Sequence, residues 1–310
     1  LPLDSHSSDS IVPALATEVR EQPGTLCFGS GHQEQVSDQR WNISGTLMQN
    51  WKLTLAYDGT GYHGWQVQPG LRTVQGELQS ALGRVLGESP LPQGSGRTDA
   101  GVHALGQVAS FALEAPIPAE NLHRALNRTL PPAIRVLETV PVGDSFHARH
   151  SAQAKTYEYR IFRGELCSPF VAPYVHACRW PLDLNKLHRT AQDVVGEHDF
   201  ISLAASDPDQ SARDEEQESP STIRTVFSSG WAEESGELLI YRVRGNGFLH
   251  HMVRNLVGTM LEISRGQFSA DAMPRILAAR ARSAAGPTAP AKGLFLHSVE
   301  YPVESQESLD

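Results

Sequence analysis

From Lys52 to Tyr57 apolar residues alternate with polar or small ones, the period of a half-buried strand. The spacing then changes. Val74, Leu78, Leu82 and Val85/Leu86 fall on one face of a helix, with Thr73 placed to cap it. A short run, Leu91 to Gln93, precedes a glycine-rich loop, and Leu105 to Leu113 reads as a strand. Pro118 opens a second helix carrying Leu122, Ala125, Leu126 and Leu130, which Pro131-Pro132 stops. Ile134 to Val140 is a further strand, so the order is βαββαβ, a ferredoxin-like unit.

The pattern recurs. Lys155 to Phe162 alternates as a strand, and Leu184 to Val195 has helical spacing behind Asp183 as its cap. Thr222 to Trp231 and Leu238 to Arg244 read as two strands joined at Glu234-Ser-Gly236. Phe248 to Ser264 reads as a helix with Leu249, Val253, Leu256 and Met260 on one face, and another runs from about Ala270 to Ala281. Leu294 to Tyr301 closes as a strand. The expected fold class is α+β: two ferredoxin-like halves, residues 48–148 and 149–303, whose sheets merge around a pseudo-two-fold axis and leave a cleft.

Three segments fall outside this pattern. Residues 1–47 are rich in Ser, Gly, Gln and Pro without periodicity and are expected to be a disordered leader, with Met48 as an alternative start. Residues 206–220 form an acidic insertion in the second half, expected on the surface, and residues 304–310 a short tail. These segments explain the net charge of −9. Residues 1–47 hold six acids against two arginines, residues 207–218 six against one, and residues 301–310 three against none. The rest of the chain keeps a surplus of three positive charges, which permits a polyanionic partner without specifying one. No apolar run reaches the roughly 20 residues of a membrane span, and no secretory signal opens the chain. The three cysteines, Cys27, Cys167 and Cys178, form no CxxC and suit a reducing cytoplasm.

Candidate chemistry concentrates in Gly94 to Gly106, GSGRTDAGVHALG. The loop is expected to join two strands, where a rigid scaffold positions reactive side chains. Arg97 beside Asp99 favours the carboxylate by attraction and charge-assisted hydrogen bonding; by itself such a pair also serves as a structural ion pair. The phosphate-binding fingerprints fail: no Gly-Lys-Ser/Thr follows, and Gly94-x-Gly96 meets Asp99 at the sixth position. No nucleotide cofactor is expected. Asp99 and His103 lack a third metal ligand nearby, and no HxH or HExxH occurs among 13 histidines. His250-His251 are adjacent residues on the expected helix and point about 100° apart, so no metal is expected there.

Gly96-Arg-Thr-Asp-Ala-Gly-Val-His-Ala104 resembles the active-site motif of the TruA family of tRNA pseudouridine synthases. Further segments agree in order: Tyr57 to Gln66, Phe146-His-Ala-Arg149, Lys155-Thr-Tyr-Glu-Tyr159, Gly245 to Gly258 and Ala289 to Leu294. The resemblance covers roughly residues 50 to 302 and implies a pseudouridine synthase fold whose central cleft binds RNA. It implies an isomerase that turns uridine into pseudouridine at positions 38, 39 and 40 of the tRNA anticodon stem-loop, as a homodimer, without cofactor. By the same resemblance Asp99 is the essential catalytic group, Arg97 fills the space of an extruded base, and Arg254 pairs with Asp99. Tyr157 packs against the uracil, Leu294 lines its pocket and Arg149 meets the RNA backbone. The acidic run within 206–220 departs from the family pattern at a place where the family meets tRNA. A competing reading, a non-catalytic RNA-binding protein on this fold, would tolerate loss of Asp99.

Overall fold

The computed structural model describes residues 48–114, 116–206, 221–234 and 236–302. The expected leader, nearly all of the acidic insertion and the tail lie outside the described residues. In chain order the elements are β1 (Gln49–Tyr57), α1 (Val74–Leu86), β2 (Gln93–Gly94), β3 (His103–Leu113), α2 (Ala119–Thr129) and β4 (Ile134–Val142). Then come β5 (Ala154–Phe162), β6 (His176–Ala177), α3 (Leu184–Gln192), β7 (Gly196–Asp199), β8 (Ile223–Glu234) and β9 (Leu238–Gly245). The last elements of the described residues are α4 (Met252–Ser264), α5 (Ala272–Ala279) and β10 (Leu294–Glu300).

The ten strands form one sheet, ordered β4-β1-β3-β10-β5-β9-β8-β7, with β2 on β3 and β6 on β5. Its first part, β4-β1-β3-β2, is the ferredoxin-like order, fourth, first, third, second. The order β10-β5-β9-β8 repeats it, and β7 extends the far edge. Two βαββαβ halves therefore merge into one sheet. The seam joins unlike edges: β10 pairs parallel to β3 at Phe295↔His103 and Leu296↔Ala104. A pseudo-two-fold axis through the sheet would bring like edges together antiparallel, so the halves succeed one another head to tail. The expected symmetry is corrected on this point.

Alternation in β1 buries Trp51, Leu53, Leu55 and Tyr57 on the face covered by the helices' apolar stripes, Leu78 and Leu82 of α1 and Leu122 and Leu126 of α2. Both expected caps form: Thr73 Oγ1 accepts from Gly76 N–H at 3.3 Å, and an Asp183 carboxylate oxygen from Lys186 N–H at 3.1 Å. Two helix boundaries differ from expectation. α3 ends at Gln192, because Gly196 takes φ 110° and the chain re-enters the sheet as β7. That strand, Gly196-Glu-His-Asp199, has no apolar alternation to announce it. α4 begins at Met252 rather than Phe248, because His251 is left-handed at φ 58°. Cys178 is buried and Cys167 partly buried, and both are free thiols.

Candidate active site

The glycine-rich segment is clamped from both sides. On one side, Ser95 N–H donates to Val108 O at 2.8 Å. The buried Gln107 side chain accepts from Ser95 Oγ at 2.7 Å and donates to Gly96 O at 2.8 Å. On the other, Trp65 N–H donates to Thr98 O at 3.0 Å, and Thr98 Oγ1 lies 2.8 Å from Tyr57 Oη. That contact needs glycine at 64, where a Cβ would sit 2.5 Å from Thr98 O. Asp99 then opens a tight turn: Val102 N–H donates to Asp99 O at 3.1 Å. Gly101 supplies the positive φ (76°) that the third position of such a turn demands.

Three side chains from the segment entering α4 meet the Asp99 carboxylate, which is 19% exposed. Arg254 Nη1 donates to Oδ2 at 2.8 Å, while its Nε donates to Ala289 O at 2.8 Å. His251 Nε2 lies 3.3 Å from Oδ2, and His250 Nε2 lies 3.7 Å from Oδ1. The two imidazoles do not diverge as adjacent helix residues would, since both precede α4. Their ring centroids are 4.0 Å apart. Burial first, then the nearby His250, Arg254 and Arg282, lower the His251 pKa despite the opposing pull of Asp99. The His251 imidazole is thereby held towards its neutral form beside the carboxylate. Ligand-capable atoms of Asp99, His250 and His251 lie within 4.8 Å of one another. A divalent cation there would face the Arg254 guanidinium on a shared oxygen, so the geometry favours the ion pair.

The other candidates fall as follows. Tyr157 is buried on β5 and stands edge-on to Phe248, with centroids 5.1 Å apart and planes at 82°. Burial raises its phenol pKa, and the charge of Asp99 adds to the rise, so the hydroxyl stays protonated beside the carboxylate. Arg97 is exposed on the loop just ahead of Asp99. Leu294 is buried at the start of β10, opposite Tyr159. Arg149 is exposed in the loop before β5, which Ser110 Oγ holds by accepting from Ala148 N–H at 3.0 Å. Asp99, Arg254 and Tyr157 are brought together.

Sequence reasoning missed Gln107, Phe248 and the approach of both histidines. Gln107 is a polar residue at an inward position of β3, and a buried amide needs partners, so its alternation phase was the available signal. For the histidines the signal was weaker, since a left-handed His251 is not announced by its neighbours.

A carboxylate held by a guanidinium, walled by a tyrosine and mounted on a turn without a phosphate loop defines an enzyme site for nucleophilic or proton-transfer chemistry. The family model described as tRNA pseudouridine synthase matches residues 54–151 and 190–302. The chain is 54% identical over 255 residues to "tRNA pseudouridine synthase A" of Solibacter usitatus, covering 82% of this chain and all of that protein. It is 46% identical to the protein of that name from Moorella thermoacetica, over 81% of this chain and 98% of the relative. For the one from Halalkalibacterium halodurans the figures are 45%, 78% and 89%. The chain belongs to the tRNA pseudouridine synthase family. It is an isomerase that acts on uridine in tRNA. Among the described residues no helix is long and apolar enough to cross a membrane.

Proposed function

We propose that the enzyme modifies uridines 38, 39 and 40 of the tRNA anticodon stem-loop, with Asp99 as nucleophile on an extruded base. The observation that carries the chemistry is the position of Asp99: at the tip of a clamped turn, bonded to Arg254 and facing Tyr157. Isomerisation breaks the N1–C1′ bond, turns the uracil and forms a C5–C1′ bond. C5 loses its hydrogen as a proton and N1 gains one, so no redox cofactor is needed. Attack by the carboxylate at C1′ of the ribose or at C6 of the uracil gives a covalent intermediate that splits one difficult step into two. Arg254 holds the attacking oxygen in place and balances its charge.

The base must leave its stack to reach Asp99. In this reading Arg97 enters the vacated space, Tyr157 and Leu294 bracket the uracil, and Arg149 meets the RNA backbone. The two halves, 48–148 and 149–303, form the walls of the cleft, and the protein works as a cytoplasmic homodimer. Mapping pseudouridine in tRNA from a strain with and without the gene tests the target. Loss at 38, 39 and 40 supports the reading, and an unchanged anticodon arm rejects it. Light scattering at micromolar concentration tests the dimer.

A further inference from the structure

Lys155 is a half-buried lysine with no acid paired to it among the described residues. Its Nζ donates to Ser95 O at 2.5 Å, its only side-chain hydrogen bond among the described residues. A Cβ placed on Gly96 would lie 3.3 Å from that Nζ and 4.0 Å from Tyr157 Oη, so ammonium and phenol flank the residue before Arg97. Lys155 and Tyr157 share one face of β5. Opposite Lys155 in the sheet is Gly245, which puts no side chain there. Beyond it, Arg224 of β8 lies over Gly247, where a Cβ would be 3.5 Å from its Nε. The Arg224 guanidinium donates only to the backbone carbonyls of Ser221 and Ile223 among the described residues.

A half-buried ammonium beside guanidinium groups is disfavoured unless something negative shares the site. We propose that Lys155 and Arg224, with Arg149 at the rim, form a seat for one RNA phosphodiester flanking the extruded uridine. The seat rests on the reading of this cleft as the site of base extraction. A phosphate oxygen on Lys155 would stand beside Gly96, where no side chain blocks it, with the uracil directed along β5 towards Tyr157. The mouth of the site thereby reads the backbone while its floor reads the base.

The like charges around Lys155 oppose its protonation, as a seat for an anion requires. Burial first, then Arg149 and Arg224, lowers the Lys155 pKa to about 8. The Tyr157 phenol lies across Gly96 from it, and Tyr301, which donates to Ala148 O at 2.7 Å, also reaches Ser95, whose carbonyl accepts from Lys155. Arg97 follows on the loop, and Glu300 of β10 is occupied by Arg244 at 2.6 and 2.8 Å. A phosphodiester stabilises the charged ammonium, so RNA binding near pH 8 takes up a proton.

The test uses the full chain, a tRNA transcript and the variants Lys155→Met, Lys155→Arg and Arg224→Met. Lys155→Met should weaken tRNA binding about tenfold, as loss of one charge-assisted hydrogen bond implies. It should also flatten the plot of log affinity against log salt by about one unit. Its Tm should stay level or rise, since the half-buried charge is gone, and Lys155→Arg should restore most of the affinity. Calorimetry in two buffers at pH 8 should show proton uptake in the wild type and none in Lys155→Met. Wild-type affinity and salt slope in Lys155→Met overturn the seat, as does a fall in Tm with an unchanged slope. Inorganic phosphate should compete only at millimolar concentration; micromolar competition would mark a free-phosphate site and overturn the RNA assignment. A wild type that binds tRNA but forms no pseudouridine overturns the functional reading instead.

Discussion

Arg254 Nη1 and Asp99 Oδ2 stand 2.8 Å apart although 155 positions separate them in the chain. Asp99 comes from the loop between β2 and β3, and Arg254 from the first turn of α4. The pair bridges the two ferredoxin-like halves over the seam where β3 meets β10. With side chains 19% and 15% exposed, it is shielded enough for its attraction to exceed that of a surface ion pair. The second guanidinium bond, to Ala289 O, fixes the direction of the first.

Asp99→Asn should abolish pseudouridine formation and leave the fold intact. The amide keeps the carboxylate's shape, so the turn closed by Val102 N–H survives, but it is neither nucleophile nor base. Release of the C5 hydrogen from labelled tRNA measures turnover, and circular dichroism measures the fold. A folded variant with near-normal turnover would refute the assigned role.

Arg254→Lys should lower kcat by roughly 10–100-fold and change KM little. A lysine carries one compact ammonium and cannot reach Asp99 and Ala289 O together, so one charge-assisted bond is lost. Single-turnover kinetics under saturating enzyme would report the loss directly. An equal loss appearing in KM alone would place Arg254 in ground-state RNA binding instead.

Acid should destabilise the protein partly through His103. Its ring is 1% exposed and stacks on Phe295 with centroids 4.7 Å apart. Gly59 N–H donates to Nδ1 at 3.0 Å, and Nε2 sits 3.2 Å from Pro173 O, which fits the neutral Nε2–H tautomer. Burial lowers the pKa, opposed by Asp58. A histidine depressed in the folded state contributes stability that is full above its unfolded pKa of about 6.5 and is lost as pH falls through the folded value. His147, His176 and His251 are depressed as well, so the effect is shared. The decline of Tm between pH 7 and pH 5 should therefore be shallower in His103→Asn than in the wild type. Parallel declines would exclude His103 as a contributor.

The strands and helices were legible where one apolar period ran long enough. β1, α1, α2, β5 and β9 stand where alternation or helical spacing placed them. β7 was not, since four residues without alternation carry no phase. The seam was not either, because pairing of β10 with β3 rests on two residue pairs roughly 190 positions apart in the chain. Asp99 stands in the motif, and the structure brings Arg254 and Tyr157, both named by the resemblance, beside it. The approach of His250 and His251 depends on one left-handed residue, which local propensity disfavours for histidine outside a functional setting.

Gly258→Ala should be among the most damaging single-methyl substitutions in the described chain. A Cβ at this position of α4 would lie 1.7 Å from Pro287 O and 2.9 Å from its carbonyl carbon, both backbone atoms that cannot rotate away. The same contact brings Ala289 N–H to Arg254 O at 3.1 Å and Ala289 O to Arg254 Nε at 2.8 Å. Moving residues 287–289 outwards would therefore release the guanidinium that orients Asp99. Overpacking of this kind costs about 3 kcal/mol, which for a domain of this size lowers Tm by roughly 6–12 °C. Turnover should fall further than stability alone explains, with a loss in kcat measured well below the lowered Tm. Gly230→Ala on β8, where an added Cβ meets nothing within 4 Å, is the control and should leave both values unchanged. A Gly258→Ala protein that melts within about 2 °C of the wild type would show that α4 and the 287–289 segment can separate at little cost. The second bond to Arg254 would then not be what holds the Asp99 carboxylate in place.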